Sequence, residues 1–411
     1  MNGVFKNSFI LIVIRAVQYG FPLLIYPYFL SLFGLEKFGE LSFWLSVTYF
    51  IGTLVSLNME SHASQMLFKN SGVELERKKT IAIPLIIRLL VFCLSVVGWL
   101  IFTLFYASSY EHMLLIMFSC YPLLSIGLQP NFYFMALGDY WLSLKTLVIE
   151  KVIFLLLVFS IITSDELYYL VPMCYFMGYL VSFLFLYRYI VRSNEIKLFD
   201  YIKPGYFDIF RSYTKISFKL LLGKMTQVHT SLSKFLVGII FNYELVAIYD
   251  VIEKVVNALK VPLVILFQAT YSRLKMNKRE TGTLFISLVI CSIFTYSIAL
   301  YMDEFILTYF LKSNVESALY AYKIMLLVVL SVPFMQAYGA GYIVKVKGAD
   351  IYANVMIVSN LISIAVLVLL YLNGIDFNKY VMWVVFAEFI FAMLCLSLFI
   401  IYNFKSKKIV S

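Results

Sequence analysis

Residues 8–33 read SFILIVIRAVQYGFPLLIYPYFLSLF, with Arg15 the one charged side chain in the run. At about 1.5 Å rise per residue, a helix of that length crosses the roughly 30 Å hydrocarbon core of a bilayer. The full amino terminus, MNGVFKNSFILIVIRAVQYGFPLLIYPYFLSLF, lacks the small-residue cleavage site of a secretory signal. It reads as a retained first transmembrane helix.

Runs of the same kind recur near 41–58, 81–106, 112–137, 146–163, 168–190, 216–241, 245–271, 283–302, 318–343, 352–372 and 379–403. Composition agrees: 62% of the 411 residues are hydrophobic and 14% are charged. Soluble domains are about half apolar and about a quarter charged. The alternating segments of a transmembrane β-barrel are absent. The expected fold is an all-α integral membrane protein, with about twelve transmembrane helices in two six-helix lobes around a central cavity. The predicted lobes are residues 1–195 and 216–411, joined by a cytoplasmic linker over 196–215.

The net charge of +10 suggests nucleic acid, but its distribution argues against that partner. Of the 33 lysines and arginines, 21 fall on the termini and the even-numbered connections. The odd-numbered connections carry three, Lys37, Lys312 and Lys379. Positive charge stays inside, so both termini are expected in the cytoplasm. The outer connections, such as GLEKFGE, SDEL and FNYE, leave no room for an extracytoplasmic domain. The longest connection, VRSNEIKLFDYIKPGYFDIFRSYTK, is basic and suits an interfacial segment on the inner leaflet.

Weak internal similarity links the halves. FGLEKFGELSFW from Phe33 and FNYELVAIYDVI from Phe241 lie 208 residues apart, matching Phe33 with Phe241 and Glu36 with Glu244. Six spans per half give parallel repeats, related by an axis along the membrane normal.

The seventh span, KLLLGKMTQVHTSLSKFL (219–236), is unusually charged for its depth. On a helical wheel with Lys219 at zero, Thr230 falls at about 20°, Lys234 about 60°, Gln227 about 80° and Lys224 about 140°. Leucines take the opposite side and His229 sits apart. The first helix repeats the design, with Ser8, Arg15, Tyr19, Pro22 and Tyr26 on one face. Arg15, Lys224 and Lys234 therefore read as cavity-lining cations, and Lys219 as either a snorkelling end or the entrance to the same path. No carboxylate lies on these two faces, so the expected cargo is anionic, such as a phosphate or diphosphate.

Span eight adds Asp250, Glu253, Lys254 and Lys260. Asp250 and Lys254 are spaced to pair, giving either a self-neutralised cluster or a coupling and gating site. Lys323, Glu388 and the Glu150–Lys151 pair lie near predicted span ends and read as snorkellers, while Arg88 fits either role. His62 and His112 sit at loop edges and read as solvated. The five cysteines, Cys93, Cys120, Cys174, Cys291 and Cys395, lie in apolar runs without CxxC spacing, so buried thiols are expected rather than disulfides or a metal site. No GxxxxGK[ST] loop occurs, and no cofactor is expected.

The six-plus-six layout, PLLIYPYFLSLFGLEKFGELSFWLSV at the first hairpin and YDVIEKVVNALKVPLVILFQATYSR at the eighth span resemble bacterial O-antigen-type polysaccharide repeat-unit flippases. These form part of the multidrug/oligosaccharidyl-lipid/polysaccharide exporter superfamily. The resemblance covers essentially the whole chain. It implies a multi-pass protein of the bacterial inner membrane that moves undecaprenyl-diphosphate-linked oligosaccharide to the periplasmic leaflet by alternating access. It implies membrane lipids and other polysaccharide-assembly proteins as partners. Arg15, Lys224 and Lys234 fit the family's cationic cavity by position. Lipid II flippases of the superfamily have fourteen spans, so peptidoglycan precursor is the less expected cargo. Two rivals remain: a cation-coupled multidrug exporter of the same fold, which needs cavity carboxylates, and a membrane glycosyltransferase or polymerase, which needs catalytic groups in larger outer loops.

Overall fold

A computed structural model describes residues 2–69, 72–137, 140–202, 209–211, 213–215, 217–218, 221, 228–271, 277–312 and 315–408. Those residues form helices and turns, and no strand occurs among them. Eight helical segments among them are long and apolar enough to cross a membrane. One of these, Phe9–Ser56, covers the first two expected spans. The expected fifth and eighth spans are also continuous helices, Trp141–Ile161 and Tyr243–Tyr271. Their charges, including Glu150, Lys151, Asp250 and Glu253, make them poorer by composition than by length. The seventh span is only partly described.

The first hairpin has a tighter pivot than its sequence suggests. Helix Asn2–Ser56 runs through GLEKFGE, broken only at Gly34 with φ 75° and ψ 179°. That backbone region is almost closed to residues with a Cβ, so a single glycine does the work of a loop. Helix resumes at once, which puts Lys37 and Glu40 on a helical face. Lys37 Nζ lies 2.7 Å from Asp165 Oδ2, and Tyr168 donates to Glu40 at 2.7 Å.

The expected fourth and tenth spans are both irregular. In the fourth, helix Tyr110–Phe118 gives way to a π-helical turn, Leu123–Leu128, and restarts as Asn131–Leu137 after Gln129-Pro130. In the tenth, helices Val315–Leu326 and Val328–Phe334 lead into a π-helical stretch, Met335–Lys347. Wide turns of this kind are rare and gather at functional places. Leu123 and Met335 are 212 positions apart, close to the 208-residue offset of the two hairpins.

The chain forms two compact units, one of residues 1–17 and 36–224 and one of residues 18–35 and 225–411. This division differs from the expected 1–195 and 216–411: residues 18–35 pack with the C-terminal unit, and the N-terminal unit runs on through the linker to residue 224. Part of the linker packs on protein. Ile196, Tyr201 and Tyr213 are buried in a cluster with Met59, Ala63 and Ile81. The Tyr213 ring stands edge-on to His62 at 5.1 Å, so this histidine is packed rather than simply solvated. Among the described linker residues, Ile202 by contrast is exposed.

All five cysteines are free thiols. Cys174 and Cys395 are buried as expected, whereas Cys93 is exposed on the helix Glu74–Tyr106. An outward-facing thiol on such a helix meets lipid tails, which suit it as well as a protein core does.

Candidate functional site

In the C-terminal unit, Phe241 and Asn242 turn the chain between helices Ser233–Ile240 and Tyr243–Tyr271. Asn242 Oδ1 accepts the Leu245 amide at 2.9 Å and caps the second helix. The hairpin brings Lys234 opposite Asp250 and Glu253, which share a face three residues apart. Lys234 Nζ lies 2.9 Å from Asp250 Oδ1 and 3.2 Å from Glu253 Oε2. Tyr26 closes the group, donating its hydroxyl to Asp250 Oδ2 at 3.0 Å. Asp250 is only 2% exposed.

This arrangement corrects two expectations. Lys234 is not a cation without counter-charge, because two carboxylates from the following helix face it. Among the described residues, the ion-pair partner of Asp250 is Lys234 rather than Lys254. The reason is geometric: a salt bridge across a hairpin joins side chains that point at each other, whereas an i,i+4 pair lies along one helix surface.

A second group sits in the same unit. Glu388 Oε1 lies 3.9 Å from His229 Nε2 and 3.9 Å from Lys260 Nζ. His229, set apart by the wheel, therefore belongs to a charged constellation. Glu388 is not a snorkeller: it lies in the body of helix Phe377–Lys408 and is 8% exposed. Across the two groups, Lys234 and Lys260 face Asp250, Glu253 and Glu388.

Lys219 and Lys224 lie outside the described residues. Arg15 is half-buried on the first helix and belongs to the N-terminal unit.

The N-terminal unit holds two further buried charges. Arg88 is fully buried on helix Glu74–Tyr106. Its Nη1 donates to the Gln129 carbonyl at 3.0 Å, its Nη2 lies 4.0 Å from Glu60 Oε1, and its guanidinium stands 5.7 Å from the Phe132 ring centre. Asn131 Nδ2 donates to the same Glu60 oxygen at 3.1 Å. Arg88 and Glu60 thus grip both sides of the break at Gln129-Pro130, where helical carbonyls lose their partners. Snorkelling does not describe it.

Glu150 and Lys151 are likewise central to their helix rather than at its end, with Lys151 Nζ 2.5 Å from Glu150 Oε1. The ammonium lies 5.2 Å from the Tyr179 ring centre and 5.9 Å from that of Tyr175. Tyr121 stacks on both rings, at 4.9 Å on Tyr175 and 5.3 Å on Tyr179. By contrast Lys323, 3.1 Å from Asp303 and 45% exposed at its side chain, fits a snorkelling end. His112 is held by Glu40 at 3.7 Å and is not simply solvated.

No cluster of three or more metal-ligating side chains occurs among the described residues. The arrangement suits exchange of ion-pair partners. An ammonium between two carboxylates can trade one of them for an anionic ligand, and the displaced carboxylate then needs a proton or another cation.

The family profile described as "Polysaccharide biosynthesis protein" matches residues 4–277. No curated protein sequence matches the chain. Among solved structures, the chain is similar to an inward-facing multidrug resistance MATE family transporter of the MOP superfamily, at TM-score 0.70 and 12% identity over 94% of this chain and 95% of that one. It is similar to the lipid II flippase MurJ in an inward closed conformation, at TM-score 0.71 and 12% identity over 94% of this chain and 87% of that one. It is also similar to a MOP superfamily transporter from Pyrococcus furiosus, at TM-score 0.65 and 12% identity, over 96% and 93%. At these identities the likeness is one of fold, and the fold is that of multi-pass membrane transporters and flippases.

Proposed function

This chain belongs to the polysaccharide biosynthesis protein family, and we propose that it is a flippase for undecaprenyl-diphosphate-linked oligosaccharide repeat units. It moves them from the cytoplasmic to the periplasmic leaflet of the bacterial inner membrane, for O-antigen or capsule synthesis. Both termini lie in the cytoplasm, on the side of the 21 lysines and arginines. The protein acts as a transporter and not as an enzyme. An ion gradient or removal of product drives it.

The observation that carries this reading is Lys234, held in an apolar bundle by Asp250 and Glu253. A buried ion pair adds little to stability over apolar packing, so its presence in a membrane span asks for another use. The diphosphate of the cargo competes with Asp250 for the Lys234 ammonium. Arg15, Lys219 and Lys224 extend the anion path. Once the diphosphate takes Lys234, Asp250 and Glu253 lose their counter-charge and accept a proton or cation. Lys254 and Lys260 lie on the same helix and bias that step, with Glu388 as the partner of Lys260. The return of Lys234 to Asp250 then helps release the cargo in the outer leaflet. The polyprenyl tail stays in lipid throughout.

One observation favours a second reading, a cation-coupled multidrug exporter. Asp250 and Glu388, with the partly buried Glu253 beside them, give the C-terminal unit the carboxylates such a protein needs. The two readings part in one experiment. Delete the gene, complement it with the wild type or with Lys234→Ala, and analyse polyprenyl-linked intermediates by mass spectrometry. The flippase reading expects complete repeat units to accumulate in the deletion and in Lys234→Ala. Incomplete chains would point to a transferase. Normal surface polysaccharide with raised drug susceptibility would point to the exporter.

A further inference from the structure

Helices Ala349–Leu372 and Phe377–Lys408 enclose a groove that the transport scheme leaves unused. It has a volume of about 350 Å³ and is lined by Val366, Leu370, Met382, Trp383 and Phe386, with Lys379 the one charged residue. That volume falls at the small end of ligand sites, which run about 300–1,000 Å³. Trp383 is 1% exposed and donates Nε1–H to the Ser363 carbonyl at 2.7 Å, so its ring is a fixed wall. Met382 and Phe386 are about half exposed beside it. In a bilayer this apolar lining faces alkyl chains.

The charged end is built as a pair. Asp376 Oδ2 lies 3.2 Å from Lys379 Nζ, and both side chains are more than half exposed. Asp376 Oδ1 accepts the Lys379 amide at 2.8 Å, and Lys379 Nζ approaches the Gly374 carbonyl at 3.4 Å. The turn therefore fixes both charges. An ammonium has three donors, so Lys379 keeps one for a ligand, and the Asp376 carboxylate keeps spare lone pairs.

We propose that this groove binds a phospholipid with a zwitterionic phosphoethanolamine headgroup. One acyl chain lies along Leu370, Trp383 and Phe386, the phosphate takes Lys379, and the primary ammonium takes Asp376. Charge complementarity selects this occupant. A phosphoethanolamine satisfies both charges of the pair, whereas an anionic headgroup gains Lys379 but meets repulsion from Asp376. The inference does not depend on the identity of the transported cargo.

The test uses the full-length protein in phosphatidylcholine nanodiscs, with increasing fractions of phosphatidylethanolamine or phosphatidylglycerol carrying brominated acyl chains. Bromine quenches nearby tryptophan. The difference between wild type and Trp383→Phe isolates Trp383 from Trp44, Trp99 and Trp141. Phosphatidylethanolamine is expected to quench Trp383 at a mole fraction about threefold lower than phosphatidylglycerol, the scale of one exposed ion pair. Asp376→Asn, which preserves the helix cap, should bring the two lipids together, whereas Lys379→Gln should weaken the quenching by both and leave the preference in place. High salt should also bring the two lipids together in the wild type, which keeps the test available where a variant folds poorly. Equal quenching by both lipids in the wild type would overturn the proposal, as would a preference that survives Asp376→Asn and salt. So would stronger displacement of the brominated lipid by a polyprenyl phosphate than by unlabelled phosphatidylethanolamine, because the groove would then belong to the carrier lipid.

Discussion

Lys234 Nζ stands 2.9 Å from Asp250 Oδ1, so that two residues 16 positions apart in sequence meet across a helical hairpin inside the C-terminal unit. Glu253 adds a second carboxylate at 3.2 Å. Removing the ammonium leaves both acids without this partner in a poorly solvated place.

That geometry predicts a non-additive pair. Lys234→Gln should destabilise the protein by about 3–5 kcal/mol, the usual cost of stranding one side of a buried ion pair. Asp250→Asn alone should cost less, because Glu253 still faces Lys234. The double variant should recover part of the loss from Lys234→Gln. Thermal unfolding in detergent, read as a double-mutant cycle, checks this. An additive double variant would mean that the contact carries no coupling.

Arg88 supports the break in the fourth span. Arg88→Met should leave the Gln129 carbonyl without its donor and cost about 1–3 kcal/mol. Arg88→Lys should rescue little, since a single ammonium cannot reach Gln129 and Glu60 with the geometry of a planar fork. Hydrogen exchange at residues 123–137 should rise in both variants while the C-terminal unit stays as protected as in the wild type. Unchanged exchange there would show that the break holds itself.

Much of this architecture was legible in the sequence, because hydropathy and charge are written along one strand of chain. The apolar runs locate the helices, and Asp250, Glu253, Lys254 and Lys260 already stand out on the eighth span. The partners were not legible. A helical wheel orders residues around one axis and says nothing about the axis beside it, so the carboxylates facing Lys234 and the link from His229 to Glu388 escaped it. Tyr26 was visible as a polar residue on the first helix, but its acceptor, 224 positions away, was not. The π-helical turns left no sequence signal beyond Pro122, Pro130 and Pro333 nearby.

Asp376 gives a pH-dependent prediction at an exposed turn. The Lys379 amide, hydrogen-bonded to its carboxylate, holds Asp376 below the usual carboxylate range, with help from the Lys379 ammonium. A carboxyl whose pKa is lower when folded stabilises the fold above its unfolded pKa and loses that effect as pH falls through the folded value. The first turn of helix Phe377–Lys408 should therefore loosen on acidification and not at alkaline pH. Asp376→Ala should remove a cap worth about 1 kcal/mol and abolish this acid dependence, whereas Asp376→Asn should keep the cap and lose only the dependence. Exchange of the Lys379 amide, corrected for intrinsic rates, reports it.

Gly34 offers the sharpest backbone test. Its φ of 75° and ψ of 179° hold the first two spans as separate segments of one helix. A Cβ there meets no neighbouring atom, so any penalty is conformational and not steric crowding. Gly34→Ala should cost about 1–3 kcal/mol through that backbone strain. It should also pull Lys37 and Glu40 out of register with Asp165 and Tyr168, since both pairs depend on where the second segment starts. Lys37→Gln alone removes the exposed ion pair without touching the backbone and should cost less. If Gly34→Ala unfolds no earlier than Lys37→Gln, the pivot tolerates a side chain and the strain account fails.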